Sequence, residues 1–408
     1  MSDTSLSPLQ LQFKPSVASR SALDAATQSQ SGVSLLSQNG VYVLRNFTSY
    51  SFERSLMTPA AAFRFTAPGV EKALRQSIRS GDFVQILATT PGTNDRVVLA
   101  SGFVDETDTH VTPSSVEYVV SGRDTIGQLV DNAVVDAQSK IINFKSLNIQ
   151  SIVTTVIANT RMPQEVIVSQ IPNVKLIFNT NAGETKINAL QRNLELVNCL
   201  LWSSPDGRVI VGKPNFSQAA SGALVMRSDD PSKNNLLEAR VRRNVNTAIR
   251  QIVTQLQTLE QVDAGAFTIK NSDPDVTALA SAHVGRSVYQ TFSYGQGTDA
   301  YNNIVAIGAG DGSPKSMGAV QSLREIAREN MKVLEVECVV RGHFNERGIA
   351  YAVDQVYDVS IDSDSVAEPM YVYSVSYELT VNQGMLTRMH LCKLGTITTH
   401  ADARTRKS

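Results

Sequence analysis

The stretch that decides the fold comprises residues 81–131 and reads GDFVQILATTPGTNDRVVLASGFVDETDTHVTPSSVEYVVSGRDTIGQLVD. Three apolar, β-branched runs in it are separated by segments rich in Pro, Gly, Asn and Asp, a pattern typical of antiparallel strands. The runs are residues 83–88, 97–104 and 116–120. After the last run, Thr125 and Gln128 have the spacing of a capping box. We therefore predict a small folded sheet, a strand-to-helix corner at Gly122 and a helix from Thr125 onward.

The residues before this stretch predict an arm followed by further strands. Residues 1–37 are rich in Ser, Gln and Ala, which predicts an extended or partly disordered arm. Such an arm either drapes over a neighbouring subunit or stays loose. Residues 40–46 (GVYVLRN) predict a first strand, and the alternation around Phe63 and Phe65 predicts another. The first strand-rich domain is therefore predicted to span residues 38–130.

Between residues 131 and 229, helical and strand patterns alternate, which predicts a separate α/β module. One helical face is formed by Ile149, Ile152, Val153, Val156 and Ile157. Gly183-Glu184-Thr185 introduces a second helix, whose apolar side carries Ile187, Leu190, Leu194 and Val197. The segment LLWSSPDGRVIVGKP then predicts two strands around a Pro205-Asp206-Gly207 turn.

A second strand-rich domain is predicted over residues 230–395. Its first strand begins near residue 234, and we expect its inward face to carry Leu237, Ala239 and Val241. Residues 262–318 are mostly Gly, Ser, Ala, Asp and Asn, which predicts a long insertion, and helical periodicity returns from Val320. Later strands are predicted at residues 333–341, 350–359, 370–380 and 385–391. The tail from residue 396 is predicted to be loose.

Composition limits the function classes. The 408 residues suggest two to four domains, and 42% hydrophobic with 18% charged residues is typical of a globular protein with large cores. The formal charge of −1 disfavours sequence-driven DNA binding, which normally uses a basic excess. Aromatic residues make up only 6%, with a single Trp, which argues against a carbohydrate-binding face.

The cysteines and the hydropathy pattern bear on the compartment. Cys199, Cys338 and Cys392 lie far apart in apolar runs without metal-ligand spacing, which predicts buried free thiols and folding in a reducing cytoplasm. The first residues lack the cationic start and apolar core of a signal peptide. No apolar run reaches about 18 residues, so we expect no membrane insertion.

Several motifs invite a chemical interpretation that their context does not favour. The histidines His110, His283, His343, His390 and His400 are scattered, which predicts surface or packing roles. The loop GAGDGSPKS at 308–316 has Pro314 where a phosphate loop needs Gly. Carboxylates cluster at Asp105, Glu106 and Asp108 and at Asp362 and Asp364, and we predict turn positions for both groups.

The charge pattern of the strand near residue 240 leaves two interpretations open. A basic run comprises Arg240, Arg242, Arg243 and Arg250. These arginines either protect a solvated strand edge against unwanted pairing or form a contact with a subunit or an acidic partner.

The order of these motifs resembles that of baseplate hub proteins of contractile-tailed phages, the phage Mu hub-like or late control protein D-like family. In that family a strand with Gly and a following Asp precedes a strand ending in SGRD, a helix ending in LVD and a helix that begins with GET. The LVD segment here ends at Asp131, and a resumed strand begins at Asn235. The signature positions matched are Gly102, Asp105, Gly122, Arg123, Asp124, Gly183, Glu184, Thr185, Arg192 and Gly384.

The resemblance covers residues 38–395 apart from 262–318. It implies an α+β, mostly β chain, in which two tail-tube-like antiparallel β-barrel domains flank the α/β module. It also implies a structural protein without catalysis, cofactor or metal. Three copies are expected to present six similar barrels as a ring that joins a threefold spike to a sixfold tail tube.

The partners that the resemblance implies are a homotrimer of this chain, the spike, the tail tube, the tape-measure protein and other baseplate proteins. DNA passes through the lumen as cargo, and the expected location is the virion baseplate after assembly in the host cytoplasm. Two alternatives remain open: a tail-associated peptidoglycan hydrolase that uses Asp105 or Asp362 with a neighbouring acid, and the hub of a phage tail-like bacteriocin.

Overall fold

A computed structural model gives the structure of the chain. The residues that it describes are 9–14, 42–44, 47–93, 95–135, 144–169, 171, 175–178, 180–181, 183–196, 199–244, 249–257, 266–270, 286–293, 328–329 and 331–397. His283, His400, the 308–316 loop and the helix predicted from Val320 lie outside these residues.

Strands dominate the described part of the chain. The strands of the first half and of the α/β module are β1 Leu9–Lys14, β2 Tyr42–Leu44, β3 Ser49–Ser55, β4 Ala62–Pro68, β5 Phe83–Thr89, β6 Arg96–Val111, β7 Val116–Asp124, β8 Phe144–Asn148, β9 Val166–Ser169, β10 Lys175–Phe178, β11 Leu200–Ser203 and β12 Val209–Gly212. The later strands are β13 Ala223–Met226, β14 Leu236–Arg243, β15 Ile249–Gln257, β16 Ala266–Lys270, β17 Arg286–Ser293, β18 Leu334–Arg341, β19 Gln355–Ile361, β20 Val366–Thr380 and β21 Gly384–Lys393. The helices are α1 Lys72–Ser77, α2 Gly127–Asp131, α3 Ile149–Ile157 and α4 Lys186–Leu196, with short 3₁₀ turns at Pro231–Lys233 and Asp362–Asp364.

One large sheet unites the two strand-rich regions. Its main path runs β14-β18-β21-β20-β3-β4-β7-β6-β5-β1-β2, and β19 and β13 branch from β20. The regions meet where β20 pairs antiparallel with β3, from Ser374 opposite Ser55 to Leu379 opposite Tyr50. A single apolar core extends along both regions, because inward residues of both contribute to it. The chain is therefore mostly β, as predicted, and its two β regions share one continuous sheet.

The sheet contains the same five-strand order twice. The first region is ordered β3-β4-β7-β6-β5, and the second is ordered β14-β18-β21-β20-β19. When the strands of each set are numbered along the chain, their order across the sheet is first, second, fifth, fourth, third. Both fourth strands are long, 16 residues in β6 and 15 in β20. Sequence identity between the regions is too low to reveal this repeat, whereas the pairing pattern displays it directly.

Part of the predicted N-terminal arm is a core strand. Residues Leu9–Lys14 form β1, which pairs antiparallel with β2 and with β5. Leu9, Leu11 and Phe13 are fully buried because they alternate on the inward face. The description as a loose or draped arm is therefore wrong for these six residues.

The α/β module has its own core. Helices α3 and α4 pack with the sheet β11-β12-β9 around Ile152, Val153, Leu190 and Val209. The face predicted for α3 is confirmed, because all five of its apolar residues are buried. The predicted hairpin is also confirmed, since β11 pairs antiparallel with β12 across the Pro205-Asp206-Gly207 turn.

Side-chain amides complete the pairing where the chain returns from the module to the sheet. Strand β13 pairs parallel with β19, and its other edge faces Asn234 and Asn235. Asn235 Oδ1 accepts from the Val225 amide and Asn235 Nδ2 donates to the Ala223 carbonyl, both at 2.8 Å. These amides take the place of backbone groups in a strand ladder, and they fix the entry into β14.

Several predicted details of the β regions are wrong. Strand β7 continues through Gly122 to Asp124, so the chain turns later than predicted. The capping box is absent, because Thr125 Oγ1 donates to the Gly207 carbonyl at 2.8 Å. The acids Asp105, Glu106 and Asp108 lie within strand β6 rather than in a turn.

Other differences concern the second region. Leu237 is exposed and Leu236 is buried, because a register shift between Leu236 and Glu238 reverses the alternation there. The predicted insertion contains β16 and β17, which pair with β15 in a separate sheet. Thr396 and Ile397 are buried, so the predicted loose tail does not begin at 396.

Candidate functional site

The matched signature residues concentrate where β6 and β7 meet the α/β module. Arg123, near the end of β7, donates to Asp105 through Nε at 2.7 Å and Nη2 at 3.0 Å. It also donates to Asp131, the last residue of α2, through Nη1 at 3.0 Å and Nη2 at 2.6 Å. One planar guanidinium thus joins a strand to a helix by two bidentate contacts. These contacts lower the pKa of Asp131 below its ordinary value.

A bulge in β6 aims Asp105 at this arginine. The register between β6 and β7 shifts between Val104 and Glu106, so Asp105 is the extra residue. Two glycines allow close strand approach here. A Cβ at Gly102 would lie 2.1 Å from the Arg123 carbonyl oxygen, and a Cβ at Gly122 would lie 2.2 Å from the Phe103 carbonyl oxygen.

The next signature residue, Asp124, is a buried carboxyl group. Its Oδ2 accepts from Ser203 Oγ at 2.5 Å and its Oδ1 accepts from the Ile126 amide at 3.2 Å. Burial raises the pKa of Asp124, and the positive charge of Arg54 opposes that rise. Arg54 is itself buried, and its Nε and Nη2 have no hydrogen-bond partner among the described residues. Asp124 therefore connects the large sheet to strand β11 of the module.

The turn between β11 and β12 docks onto the same place. Ser101 Oγ donates to the Pro205 carbonyl at 2.8 Å, and Thr125 Oγ1 donates to the Gly207 carbonyl. The tight turn thus presents two carbonyls to the hydroxyls of Ser101 on β6 and Thr125 directly after β7. Together with Asp124 and Ser203, these contacts hold the module against β6 and β7.

The GET segment attaches the module to the residues after α2. Glu184 Oε2 accepts from Arg192 Nη2 at 2.8 Å and from the Asn181 amide at 2.9 Å. The Glu184 carbonyl accepts from the Val134 amide at 3.1 Å, next to a bridge between Ala133 and Thr185. Gly183 precedes this contact, whereas Gly384 lies far away at the start of β21. Nine of the ten signature positions therefore serve the module or its joint with the sheet.

Two strand edges carry opposite charge. No described strand pairs with the outer edge of β14, where Arg240, Arg242 and Arg243 are exposed. Strand β5 stops opposite Phe103, so no described strand pairs with the outer edge of β6 beyond Val104. That second edge includes the exposed acids Asp105, Glu106 and Asp108. The sheet thus exposes a basic edge in its second region and an acidic edge in its first.

The structure shows the surroundings of the carboxylates, the cysteines and the possible metal ligands in the described residues. No group of three His, Cys, Asp or Glu side chains there converges as a metal site. Asp105 is bound by Arg123, and Asp364 lies 3.5 Å from Arg243. The three cysteines are buried free thiols, as predicted. No helix in the described part of the chain has the length and apolar character needed to cross a bilayer.

Comparison with solved structures assigns the fold. A tail protein from Neisseria meningitidis MC58 superposes with a TM-score of 0.68 over 87% of this chain and 94% of its own, at 17% identity. The 43 kDa tail protein of prophage MuSo2 from Shewanella oneidensis gives 0.64 over 88% and 97%, also at 17% identity. Prophage tail protein gp18 from Listeria monocytogenes gives 0.52 over 87% and 91%, at 10% identity.

The chain has the fold of these tail proteins. No protein-family model matches it, and no curated protein matches it in sequence. The similarity therefore lies in the backbone rather than in the residues, and the residues of the joint and of the two edges must be interpreted from their own contacts.

Sequence reasoning missed two contributors to the joint, Arg54 and Ser203. Asp131 was matched as the end of the LVD segment, but its contact with Arg123 was not predicted. Arg54 and Ser203 gave no signal, because their relation to Asp124 depends on tertiary packing. The charged residues of the two edges form clusters in the sequence. The sequence did not show that no described strand pairs with these edges.

Proposed function

We propose that this chain is the structural hub of a contractile phage tail baseplate. In this role three copies form a ring with pseudo-sixfold symmetry that joins a trimeric spike to a hexameric tail tube. The tape-measure protein and other baseplate proteins contact the ring, and DNA passes through its lumen. The chain performs no catalysis and needs no cofactor.

The repeated five-strand order is the observation that carries this proposal. A chain with two equivalent units gives six such units in a trimer, so the same ring offers threefold and sixfold partners a matching surface. The fold shared with the tail proteins from Neisseria meningitidis and prophage MuSo2 supports the same role. A net charge of −1 suits a lumen that lets DNA pass without binding it. A tail-like bacteriocin hub would share this architecture, with no genome to deliver.

The hydrolase alternative finds less support. Both carboxylate oxygens of Asp105 accept hydrogen bonds from Arg123, and Asp362 lies in an exposed 3₁₀ turn. A glycosidase needs one acid kept protonated beside a second carboxylate across a sugar cleft.

Localisation on the particle tests the proposal. We expect an antibody or gold label on this chain to mark the axis of the tail at the baseplate, and a symmetry-free reconstruction to place three copies there. A label on the tail fibres or the absence of the chain from tails would overturn the proposal. Clearing of peptidoglycan by the purified chain, lost in Asp105→Asn or Asp362→Asn, would favour the hydrolase instead.

A further inference from the structure

The two repeats share an irregularity, a bulge in the fourth strand where it pairs with the fifth. The bulge between Val104 and Glu106 of β6 has its counterpart between Val372 and Ser374 of β20. On the fifth strands, Gly122 lies opposite Val104 as Leu391 lies opposite Val372. This shared bulge aligns the fourth and fifth strands of the two repeats position by position.

Strand pairing also relates β3 and β14, the first strands of the two repeats. Phe52 of β3 pairs with Phe63 of β4, which pairs with Gly122. Val241 of β14 pairs with Val336 of β18, which pairs with Leu391. Phe52 and Val241 therefore occupy equivalent positions, and so do Glu53 and Arg242.

Within one chain the repeats are joined by a defined junction. The outer part of β20, beyond its bulge, pairs with β3, and Ser376 lies opposite Glu53. The position equivalent to the outer part of β20 is residues 106–111 of β6, and the strand equivalent to β3 is β14. These are the two edges that no described strand covers. One junction is thus made inside the chain, between β20 and β3. The two strands of a second, equivalent junction, β6 and β14, are present in the chain but are not paired with each other.

We infer that the outer edge of β14 pairs antiparallel with the outer edge of β6 in a second copy of this chain, in the register of the β20–β3 junction. Applying the equivalences places Arg242 of one copy directly opposite Asp108 of the next. Thr109 then lies opposite Val241, and Val111, which is 61% exposed, lies opposite Ala239. This inference deepens the homotrimer of the proposed function and rests on it.

Charge supports this pairing over its alternatives. Two β14 edges would bring arginines together and two β6 edges would bring carboxylates together, so self-pairing of either edge is disfavoured. A β14 edge on a β6 edge brings opposite charges together. The contact is therefore directed from the second repeat of one copy to the first repeat of the next, and a head-to-tail contact forms a ring when its rotation closes after three copies. In a trimer it gives six equivalent junctions, three within chains and three between them.

Cysteine pairing tests the register. Residues directly opposite in antiparallel strands have Cα atoms about 4.5–5.5 Å apart, which a disulfide spans. We expect the full-length Asp108→Cys, Arg242→Cys double variant to yield a covalent trimer on oxidation, three times the 44.2 kDa chain mass. The matched control is Thr109→Cys, Arg242→Cys, whose side chains point to opposite faces and should not cross-link. The native buried cysteines are kept in both variants.

Charge exchange provides a second measurement that needs no covalent bond. Asp108→Arg or Arg242→Asp alone should raise the concentration at which the trimer half-dissociates by about tenfold or more, because three junctions then face like charges. The double exchange should restore association, since each junction regains an opposite pair. Both positions are exposed, and Arg242 Nη1 also lies 3.9 Å from Glu335 Oε2 of its own chain. The unfolding curve of Asp108→Arg should therefore match that of the wild type, and the two variants that contain Arg242→Asp should match each other.

The outcomes separate this inference from the proposed function. A trimer by native mass spectrometry without the selective cross-link, or without rescue in the double exchange, overturns the strand pairing and leaves the trimeric hub standing. A chain that is monomeric at every concentration overturns the pairing as well. The hub itself is tested separately by localisation, and absence of the chain from the tail axis overturns it.

Discussion

Asp105 occupies the bulge of strand β6, and its carboxylate accepts two hydrogen bonds from the guanidinium of Arg123 on the neighbouring strand, at 2.7 and 3.0 Å. The bulge turns the acid toward a side chain that an uninterrupted strand would not present to it. Arg123 uses its remaining donors on Asp131, so a local irregularity of one strand anchors the helix that leads into the α/β module.

Replacing Arg123 by Lys should cost about 1–2 kcal/mol of unfolding free energy. An ammonium group cannot span two carboxylates with a planar fork, and the partly exposed position limits the loss. Chemical denaturation of Arg123→Lys measures it. Arg64→Lys is the control, since Arg64 is exposed on the adjacent strand and should change stability by less than about 0.5 kcal/mol. Equal losses of unfolding free energy in the two variants would mean that the guanidinium of Arg123 gains nothing from contacting both Asp105 and Asp131.

Gly122→Ala should destabilise the fold by about 3 kcal/mol. The added methyl group would lie 2.2 Å from the Phe103 carbonyl oxygen and 2.5 Å from the Phe63 ring, so the strands must separate. Gly222→Ala is the matched control, because its methyl group would meet the Tyr357 ring at an ordinary 3.4 Å. Thermal unfolding of both variants measures the difference, and a Gly122→Ala protein as stable as Gly222→Ala would show that the strands do not approach this closely.

Local patterns predicted most of these strands, and tertiary relations account for the errors. The alternation of Tyr371, Tyr373, Val375 and Tyr377 made β20 easy to predict, and the turn at Gly207 made the β11–β12 hairpin easy. The exposure of Leu237 was not predictable, because a bulge changes the parity of a strand without leaving a sequence signal.

The residues of the candidate site were likewise predictable only in part. The SGRD and GET motifs identified Arg123, Asp124 and Glu184, because a short motif preserves local order. The roles of Arg54 and Ser203 required the fold, since they reach Asp124 from strands 70 and 79 residues away. The equivalence of β6 with β20 also required the fold, because strand order and register repeat where residue identities do not.

Phe13→Ala should cost about 3–5 kcal/mol, although the sequence around it suggested a loose arm. Its ring is fully buried on β1, between β2 and β5, and its loss leaves a cavity in the large core. Gln12→Ala, on the opposite face of the same strand, should cost less than about 1 kcal/mol. Urea unfolding of the pair measures this contrast. Equal small losses would indicate that β1 does not belong to the stable sheet.

His343 makes the seam between the two repeats sensitive to acid. Thr387 Oγ1 donates to the Gly342 carbonyl at 2.6 Å, so it accepts from His343 Nδ1 at 2.9 Å. His343 Nε2 is then the acceptor for the Tyr50 hydroxyl at 2.6 Å. Tyr50 belongs to β3 and Thr387 to β21, so a neutral imidazole bridges the first repeat and the second. Burial lowers the pKa of His343 to about 4.

Stability should therefore fall as the pH drops from about 6.5 to about 4. The unfolded chain takes up a proton at an ordinary histidine pKa of about 6.5, whereas the folded chain resists it until about 4, so acid favours unfolding by up to about 3 kcal/mol. Above pH 6.5 the wild type keeps its full unfolding free energy. His343→Gln lacks the part that depends on this titration, so the difference in unfolding free energy between the wild type and His343→Gln should be largest near pH 7 and should shrink toward pH 4.

Tyr50→Phe is the control for this pH dependence. It removes the donor to Nε2 and should cost about 1 kcal/mol, but it keeps the buried imidazole and hence most of the slope of stability against pH. Urea unfolding of the three proteins between pH 4 and pH 7.5 measures both quantities. A constant difference between wild type and His343→Gln across that range would mean that the imidazole is as easily protonated in the folded chain as in the unfolded one.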